Sequence, residues 1–454
     1  MNNLRIVRFP PSRKPGPFFA ASVILVALLD SFLVVPLTRS QTVKGSALAS
    51  SERSATAARA GARYPSFRQP IIRANIRLPK ARTLTYLKLR LIRKKPGLAW
   101  PDFSCSHQRV LSKSPESLIL EIGRPDIPAD SAIPVVPDDS NREYLAANDF
   151  IQPETPEVRD LASRIVGGET DAFRAGLKLE GWISDNLKID RGMALVPSTA
   201  VLKGGRSTCL GCAVLLAAMA RAAGIPSRVA LGYAYASGAF FGHAWVEILS
   251  GESWVPLDAA LIAEGTADAA RIRTCASSLS SGAPSFSDFI GNRIIGGLDI
   301  KILEFGSRGE KRIAVAPEAA GFSVSEEFYR NSWLGISLKK PVDWRFTKLN
   351  PLWPDPAVVG LSGPEGVRVE IRQHDINPWW TDQNAADEIF NELGIWEGAE
   401  RVERRGIQGF LAGGTWKAAL VLIDRPEAWV FVAEGREPVR LLDIATAGLQ
   451  LRRR

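Results

Sequence analysis

Gly205-Arg206-Ser207-Thr208-Cys209-Leu210-Gly211-Cys212-Ala213-Val214-Leu215-Leu216-Ala217-Ala218-Met219-Ala220-Arg221-Ala222-Ala223 is the stretch around which the rest of the chain is organised. From Cys209 onward it carries almost no polar side chain except Arg221, and it stops at Gly224-Ile225-Pro226, so it reads as a helix apolar on every side and therefore buried. Ser207 and Thr208 are N-cap candidates, which puts Cys209 in the first helical turn. Unpaired N–H groups and the helix dipole favour an anion there. A free thiol of pKa about 8.5 can be lowered to roughly 3.5–7.5 at such a position, which makes it a usable nucleophile. The plainer reading takes Cys209 and Cys212 as small core hydrophobes, as most buried cysteines are.

The chain has three histidines, so the search for a base is short. His243 sits in Phe240-Phe241-Gly242-His243-Ala244-Trp245-Val246-Glu247-Ile248. On a strand, His243, Trp245 and Glu247 share one face and Ala244, Val246 and Ile248 the other, the aliphatic side being the core side. Trp254-Val255-Pro256-Leu257-Asp258 follows the turn at Ser250-Gly251 and ends in a carboxylate. Antiparallel neighbours bring His243 and Asp258 within cross-strand reach, so that one ring nitrogen meets the carboxylate and the other faces Cys209. That is the pattern of nucleophile, base and orienting acid. Taken singly, His243 reads as a structural histidine and Asp258 as a turn residue; their joint arrangement after a helix-start cysteine is what lifts them.

From about Thr155 to Ala260 these residues resemble the transglutaminase-like superfamily. The motifs that carry the likeness are Cys209-Leu210-Gly211-Cys212-Ala213 with Leu216 to Arg228, then Gly232-Tyr233, Gly242-His243-Ala244-Trp245-Val246-Glu247, and Trp254-Val255-Pro256-Leu257-Asp258. The resemblance implies an α+β, papain-like core with the cysteine on a central helix and His and Asp on adjacent strands. It implies Cys209 as nucleophile, His243 as general acid and base, and Asp258 as the group that orients it. The implied activity is cleavage or transfer of amides through a thioester, with water or an amine as acceptor, and no cofactor or metal. Two departures stand out. Ser207 occupies a position where relatives often carry Gly, and Cys212 one where they often carry an aromatic.

At 454 residues the chain is too long for one ordinary core. The expected organisation is a signal peptide or membrane anchor over 1–37, a linker over 38–63, a small β module over 64–135, the transglutaminase-like domain over 150–262, a connector over 263–325 and a C-terminal α+β domain over 326–454. In the β module, Leu87, Leu89 and Leu91, then Leu118, Leu120 and Ile122, alternate as half-buried strands do. Cys105 and His107 fall within it and read as structural. Thr155-Pro156 opens one amphipathic helix, and Ala172, Ala175, Leu179, Trp182 and Ile183 lie on the stripe of a second. Eight of the twelve tryptophans lie beyond residue 330. Most read as core, with Trp379-Trp380 as the exposed pair that could stack on sugars.

Residues 1–100 hold 19 Lys and Arg against 2 Asp and Glu, a net +17, while the whole chain carries +9. No nucleic-acid motif accompanies this dispersed charge, so nucleic acid is not an expected partner. The first residues instead form a basic n-region before Phe18–Leu29, with apolar character resuming after Asp30 through Leu37. This is a cleaved signal or a retained anchor, and either exports the remainder to an extracytoplasmic or periplasmic site, where peptide, protein or cell-wall peptide substrates are expected. Four cysteines are too few for a disulfide framework. Cys209 and Cys212 also form C-x-x-C at a helix start, which leaves a thiol oxidoreductase open as an alternative, although His243 and Asp258 would then have no role. A further alternative is an inactive scaffold that binds peptides or glycans. A metal site is disfavoured by the absence of a second C-x-x-C.

Overall fold

The computed structural model describes residues 66–67, 70–94, 100–127, 130–280, 297–396 and 398–451. The signal or anchor over 1–37 and the linker over 38–63 lie outside the described residues. Among the described residues no helix is long and apolar enough to cross a membrane.

Strand β1 (Ile71–Arg73) is followed by β2 (Leu84–Arg93), β3 (Gln108–Lys113) and β4 (Ser117–Gly123). The alternating leucines of β2 and β4 turn inward, so that Leu87, Leu89, Leu91, Leu118, Leu120 and Ile122 are buried in one core. Three helices then lead to the central one. Helix α1 (Pro156–Val166) starts with Pro156 in its first position, and α2 (Ala172–Asn186) is capped by Asp171, whose carboxylate accepts from the Arg174 N–H. After α3 (Ser198–Gly204) comes α4 (Cys209–Ala222), buried over all but its last residue. Its Ala, Leu and Met content suits a helix, and it ends where Gly224 takes a positive φ of 75° and Pro226 follows. Arg221 is tolerated inside because its guanidinium donates to the carbonyls of Ser227, Ala146 and Ser278.

Beyond α4 lie β5 (Ser227–Ala236), β6 (Ala239–Ser250), β7 (Ser253–Leu257) and β8 (Arg271–Ser277). They form one antiparallel sheet in the order β7-β6-β5-β8, with β1 pairing the start of β6. Ala244, Val246 and Ile248 of β6, Val229 and Leu231 of β5, and Val255 and Leu257 of β7 pack with α4 in a single core. At about 1.5–3 kcal/mol for each large side chain buried, Leu210, Val214, Leu215, Leu216 and Met219 make α4 the main anchor of that core. Gly232 on β5 pairs with His243, and a Cβ there would lie 1.8 Å from the Ile272 carbonyl oxygen. The approach follows from a bulge in β8 between Arg273 and Cys275, and only glycine admits it.

The stretch read as connector is not featureless. Residues 271–277 are β8 of the central sheet, and β9 (Leu298–Ser307) pairs with β2 along its whole length, so the N-terminal sheet is completed by chain more than 200 residues further on. Leu298, Ile300 and Ile302 turn inward on alternate positions, which is why β9 belongs there. The C-terminal part holds a seven-stranded antiparallel sheet. Its strands are β10 (Arg345–Leu349), β11 (Ala357–Ser362), β12 (Arg368–Asp375), β13 (Glu400–Arg404), β14 (Ile407–Gly413), β15 (Lys417–Asp424) and β16 (Glu427–Glu434), in the order β10-β11-β12-β16-β15-β14-β13. Helix α5 (Asp382–Leu393) covers one face and α6 (Pro438–Thr446) the other. After α6, residues 449–451 pair with residues 336–338 as a strand.

Trp379-Trp380 is only partly the open pair expected. The Trp380 indole N–H donates to Asp185 of α2 at 2.8 Å, and Asn377 donates to Ser184 and Asp185, so this turn fastens the C-terminal sheet to α2. Trp379 stays half exposed, and Trp396 and Trp416 are 77% and 61% exposed, so the core does not absorb them as expected.

Candidate active site

Thr208 is the N-cap of α4, yet its hydroxyl does not cap the helix; it donates to the Ala194 carbonyl and accepts from the Ala194 N–H. The Thr208 side chain therefore takes none of the first-turn N–H groups of α4, beside Cys209. The Cys209 Sγ lies 4.0 Å from the Gly192 carbonyl oxygen, which places the loop before α3 against the thiol. Cys212 follows one turn later in the core. Burial first, then the charge of Cys209, pushes its thiol well above the ordinary range. No disulfide joins any of the four cysteines.

His243 leaves β6 at the register position opposite Gly232, and Asp258 directly follows β7. Their side chains meet, with His243 Nε2 and Asp258 Oδ2 2.8 Å apart. Asp258 takes Nε2, which leaves Nδ1 as the ring nitrogen for the thiol. Cys209, His243 and Asp258 are 4%, 2% and 1% exposed, so the three groups interact with little screening by water. Burial alone would lower the His243 pKa, but the charges of Asp258 and Cys209 and hydrogen bonds to both raise it to about 9. For Asp258 burial acts upward and is outweighed by His243 and Arg271, which hold the carboxyl well below the usual range.

Sequence reasoning missed what surrounds Asp258. Arg271 of β8 donates through Nε to the same Oδ2 at 2.8 Å, while Oδ1 accepts from the backbone N–H groups of Ala260 and Leu261 at 3.2 and 3.1 Å. Arg271 also bonds the Leu261 carbonyl and Asp268, and Asp268 pairs with Arg82 at 2.8 Å. The chain of buried charges thus runs from the histidine to the N-terminal module. The Arg271/Asp268 spacing is visible in sequence, but the pairing with Asp258 is not.

Glu180 of α2 is the second omission. Its Oε1 accepts from the Asp258 N–H, and its Oε2 is buried without a partner. Burial raises its pKa from 4.5 to about 8, with a smaller push from the Asp258 charge, so it is protonated at neutral pH. An acid whose folded pKa is raised contributes stability present below about 4.5 and lost as pH rises through about 8. Glu180→Gln, which mimics the neutral acid and keeps the acceptor, is expected to leave the melting temperature nearly unchanged at pH 5 and to flatten its decline between pH 5 and 8. Melting curves across that range check this, and an unchanged slope would show that Glu180 does not titrate there.

Cys105 and His107, which read as structural, contact each other, with Sγ 3.6 Å from Nδ1 and 3.7 Å from Nε2. Burial raises the thiol pKa and lowers that of the imidazole, so both groups are held neutral, as befits a structural pair. Among the described residues no group of three or more His, Cys, Asp or Glu is placed to hold a metal ion.

Residues 159–259 match the family model of the transglutaminase-like superfamily. Comparison with curated proteins finds no match. Among solved structures, a candidate cysteine protease from Cytophaga hutchinsonii is 14% identical, with 56% of this chain and 96% of that one covered and a TM-score of 0.34. The periplasmic domain of TgpA from Pseudomonas aeruginosa is 15% identical, with 46% of this chain and 95% of that one covered and a TM-score of 0.28. A cyanobacterial PsbP from Synechocystis is 11% identical, with 28% of this chain and 95% of that one covered and a TM-score of 0.22. Over residues 159–259 the chain carries a domain of the transglutaminase-like superfamily.

Proposed function

We propose that the protein is a cysteine enzyme that acts on amide bonds of peptides or proteins through a thioester on Cys209. The observation that carries this reading is the buried contact of His243 with Asp258, with Cys209 at an uncapped helix start acting on the same imidazole. In the reaction, the Cys209 sulfur attacks the amide carbonyl and its electron pair forms the C–S bond. The oxyanion is received by first-turn N–H groups of α4. His243 gives its proton to the leaving amine as the C–N bond breaks, and a thioester remains. Water or a second amine, relieved of a proton by His243, then attacks the thioester and frees the thiol. Asp258 keeps Nε2 occupied, so that Nδ1 is the nitrogen that handles the proton. The basic n-region and the apolar stretch up to Leu37 support action outside the cytoplasm, on peptides that include those of the cell wall.

Two measurements test the reading. With iodoacetamide as a small amide-bearing reagent and the modified residues mapped by mass spectrometry, Cys209 is expected to react well before Cys105, Cys212 and Cys275. Equal reaction of Cys209 and Cys212 that depends on reductant would point to a dithiol oxidoreductase, against which the buried, high-pKa Cys212 already argues. No selectivity at all would point to a binding scaffold. The pH profile is the second measurement. His243 must carry the proton that the leaving amine takes, so the acylation rate is expected to fall as pH rises through about 9. An acylation rate still rising at pH 10 would exclude His243 as the acid.

A further inference from the structure

The C-terminal part of the chain packs a residue on Phe241, two positions before His243. Residues 350–356, which join β10 to β11, carry Trp353, and its ring lies flat on Phe241 of β6, 4.0 Å between centroids and 5° between planes. Phe241 in turn meets the His243 ring edge-on at 5.4 Å. Trp353 and Leu261 pack on a small apolar cluster with Ala234, Ala236 and Phe241, and Leu261 is one of the two residues whose backbone N–H donates to Asp258. Phe241 is buried under the indole, whereas Trp353 and Leu261 are only partly buried. The surface open beside His243 is therefore the outer side of Trp353 together with Leu261.

The placement is built in at both ends. Arg77, a fully buried guanidinium of the N-terminal module, donates to the Asn350 side chain at 3.2 Å and to the carbonyls of Pro356 and Ala357 at 3.2 and 2.8 Å. Between these clamps the Trp353 N–H donates to the Ser237 carbonyl in the β5–β6 turn. Three parts of the chain thus converge to hold one indole against Phe241, one ring removed from the imidazole. A buried arginine spent on loop carbonyls is a costly way to support a surface ring with no task.

We infer that Trp353 is a substrate-facing wall of the reaction cleft, which selects acyl donors bearing an apolar or aromatic side chain next to the reacting amide. The inference rests on the proposed thioester chemistry of Cys209. A flat indole beside an aliphatic side chain of the same apolar cluster offers dispersion and stacking contacts and no partner for a charge, so it favours rings and disfavours carboxylates. In this arrangement the C-terminal domain is part of the enzyme's specificity and does not merely accompany it.

The test compares two thiol-reactive amides on the full chain, N-benzylchloroacetamide and N-(carboxymethyl)chloroacetamide, with the rate of Cys209 modification read by mass spectrometry. The wild type is expected to prefer the benzyl reagent by about tenfold over the ratio that the two show with free cysteine. Trp353→Ala is expected to bring that preference close to the free-cysteine ratio, and Trp353→Phe to keep most of it. Trp353→Leu, which fills the site without a flat ring, gives the same reading should the alanine variant fold poorly, and is expected to lie between the two. A preference unchanged in the alanine or leucine variant overturns the inference while leaving the chemistry of Cys209 intact. Absence of selective reaction at Cys209 in the wild type overturns both.

Discussion

Turnover of peptide amides is expected to vanish with Cys209→Ala and to fall by about 1,000-fold or more in kcat/KM with His243→Ala. The size of the effect follows from how the groups depend on one another. The thiol is useful only while an imidazole holds its proton and later delivers it, and the imidazole has nothing to deliver once the sulfur is gone. The losses should therefore not add, and the double variant should be no slower than Cys209→Ala alone. Both side chains are almost fully buried, so the fold must be checked beside the rate. Removing a sulfur that behaves as a small hydrophobe leaves a modest cavity, whereas His243→Ala strips Asp258 of one of its two charged partners and should cost more stability. Steady-state kinetics with melting curves for the three variants read both quantities. Retention of more than a tenth of wild-type kcat/KM in Cys209→Ala would remove the sulfur from the mechanism. The same retention in His243→Ala would remove the imidazole.

Much of the candidate site is legible in the sequence because it is local. The buried helix shows as an unbroken apolar run with a stop signal, and β5 to β7 show as alternation followed by turn residues. The His243 and Asp258 contact needs only a short hairpin between β6 and β7, since Leu257 pairs with Val246 and Asp258 comes next. What the sequence hides is long-range. β8 reads Arg-Ile-Arg-Thr-Cys-Ala-Ser, with Ile272 its one large aliphatic side chain and no period that marks it as a strand, so the partner of Asp258 falls inside apparent connector. Glu180 sits on a helix stripe between Leu179 and Trp182, where charge pattern alone assigns it to the solvent side; only the packing of α2 on the sheet turns it inward. Trp353 reaches the site through a loop whose position depends on Arg77, more than 270 residues earlier. No periodicity carries that information. The exposed Trp396 and Trp416 show the converse limit, since ring count alone does not say which rings are buried.

Asp258→Asn is expected to lower kcat/KM by about 1,000- to 10,000-fold, and Arg271→Met to cost about 3–5 kcal/mol of stability. Both follow from one feature of the site. Each carboxylate oxygen of Asp258 faces two donors: Oδ1 the N–H groups of Ala260 and Leu261, and Oδ2 the Nε2 of His243 and the Nε of Arg271. Four donors suit a group that only accepts. An asparagine must turn its NH2 toward one of the two pairs. Turned to His243 and Arg271, it reverses the tautomer of the imidazole and opposes the guanidinium. Turned to the backbone, it breaks the turn that sets the side chain in place. The arginine is placed between Asp258 and Asp268, so its removal leaves Asp258 with only His243 and Asp268 with only Arg82 as charged partners, all in a dry interior. Arg271→Lys should recover part of the stability but not all of it, because an ammonium cannot reach both carboxylates and the Leu261 carbonyl with the fixed geometry of a guanidinium. Denaturant unfolding of the three variants gives the stability differences directly. An Arg271→Met variant within 1 kcal/mol of wild type would show that His243 alone suffices to hold the Asp258 charge, and an Asp258→Asn variant with near-normal turnover would mean that the carboxylate does not orient the imidazole.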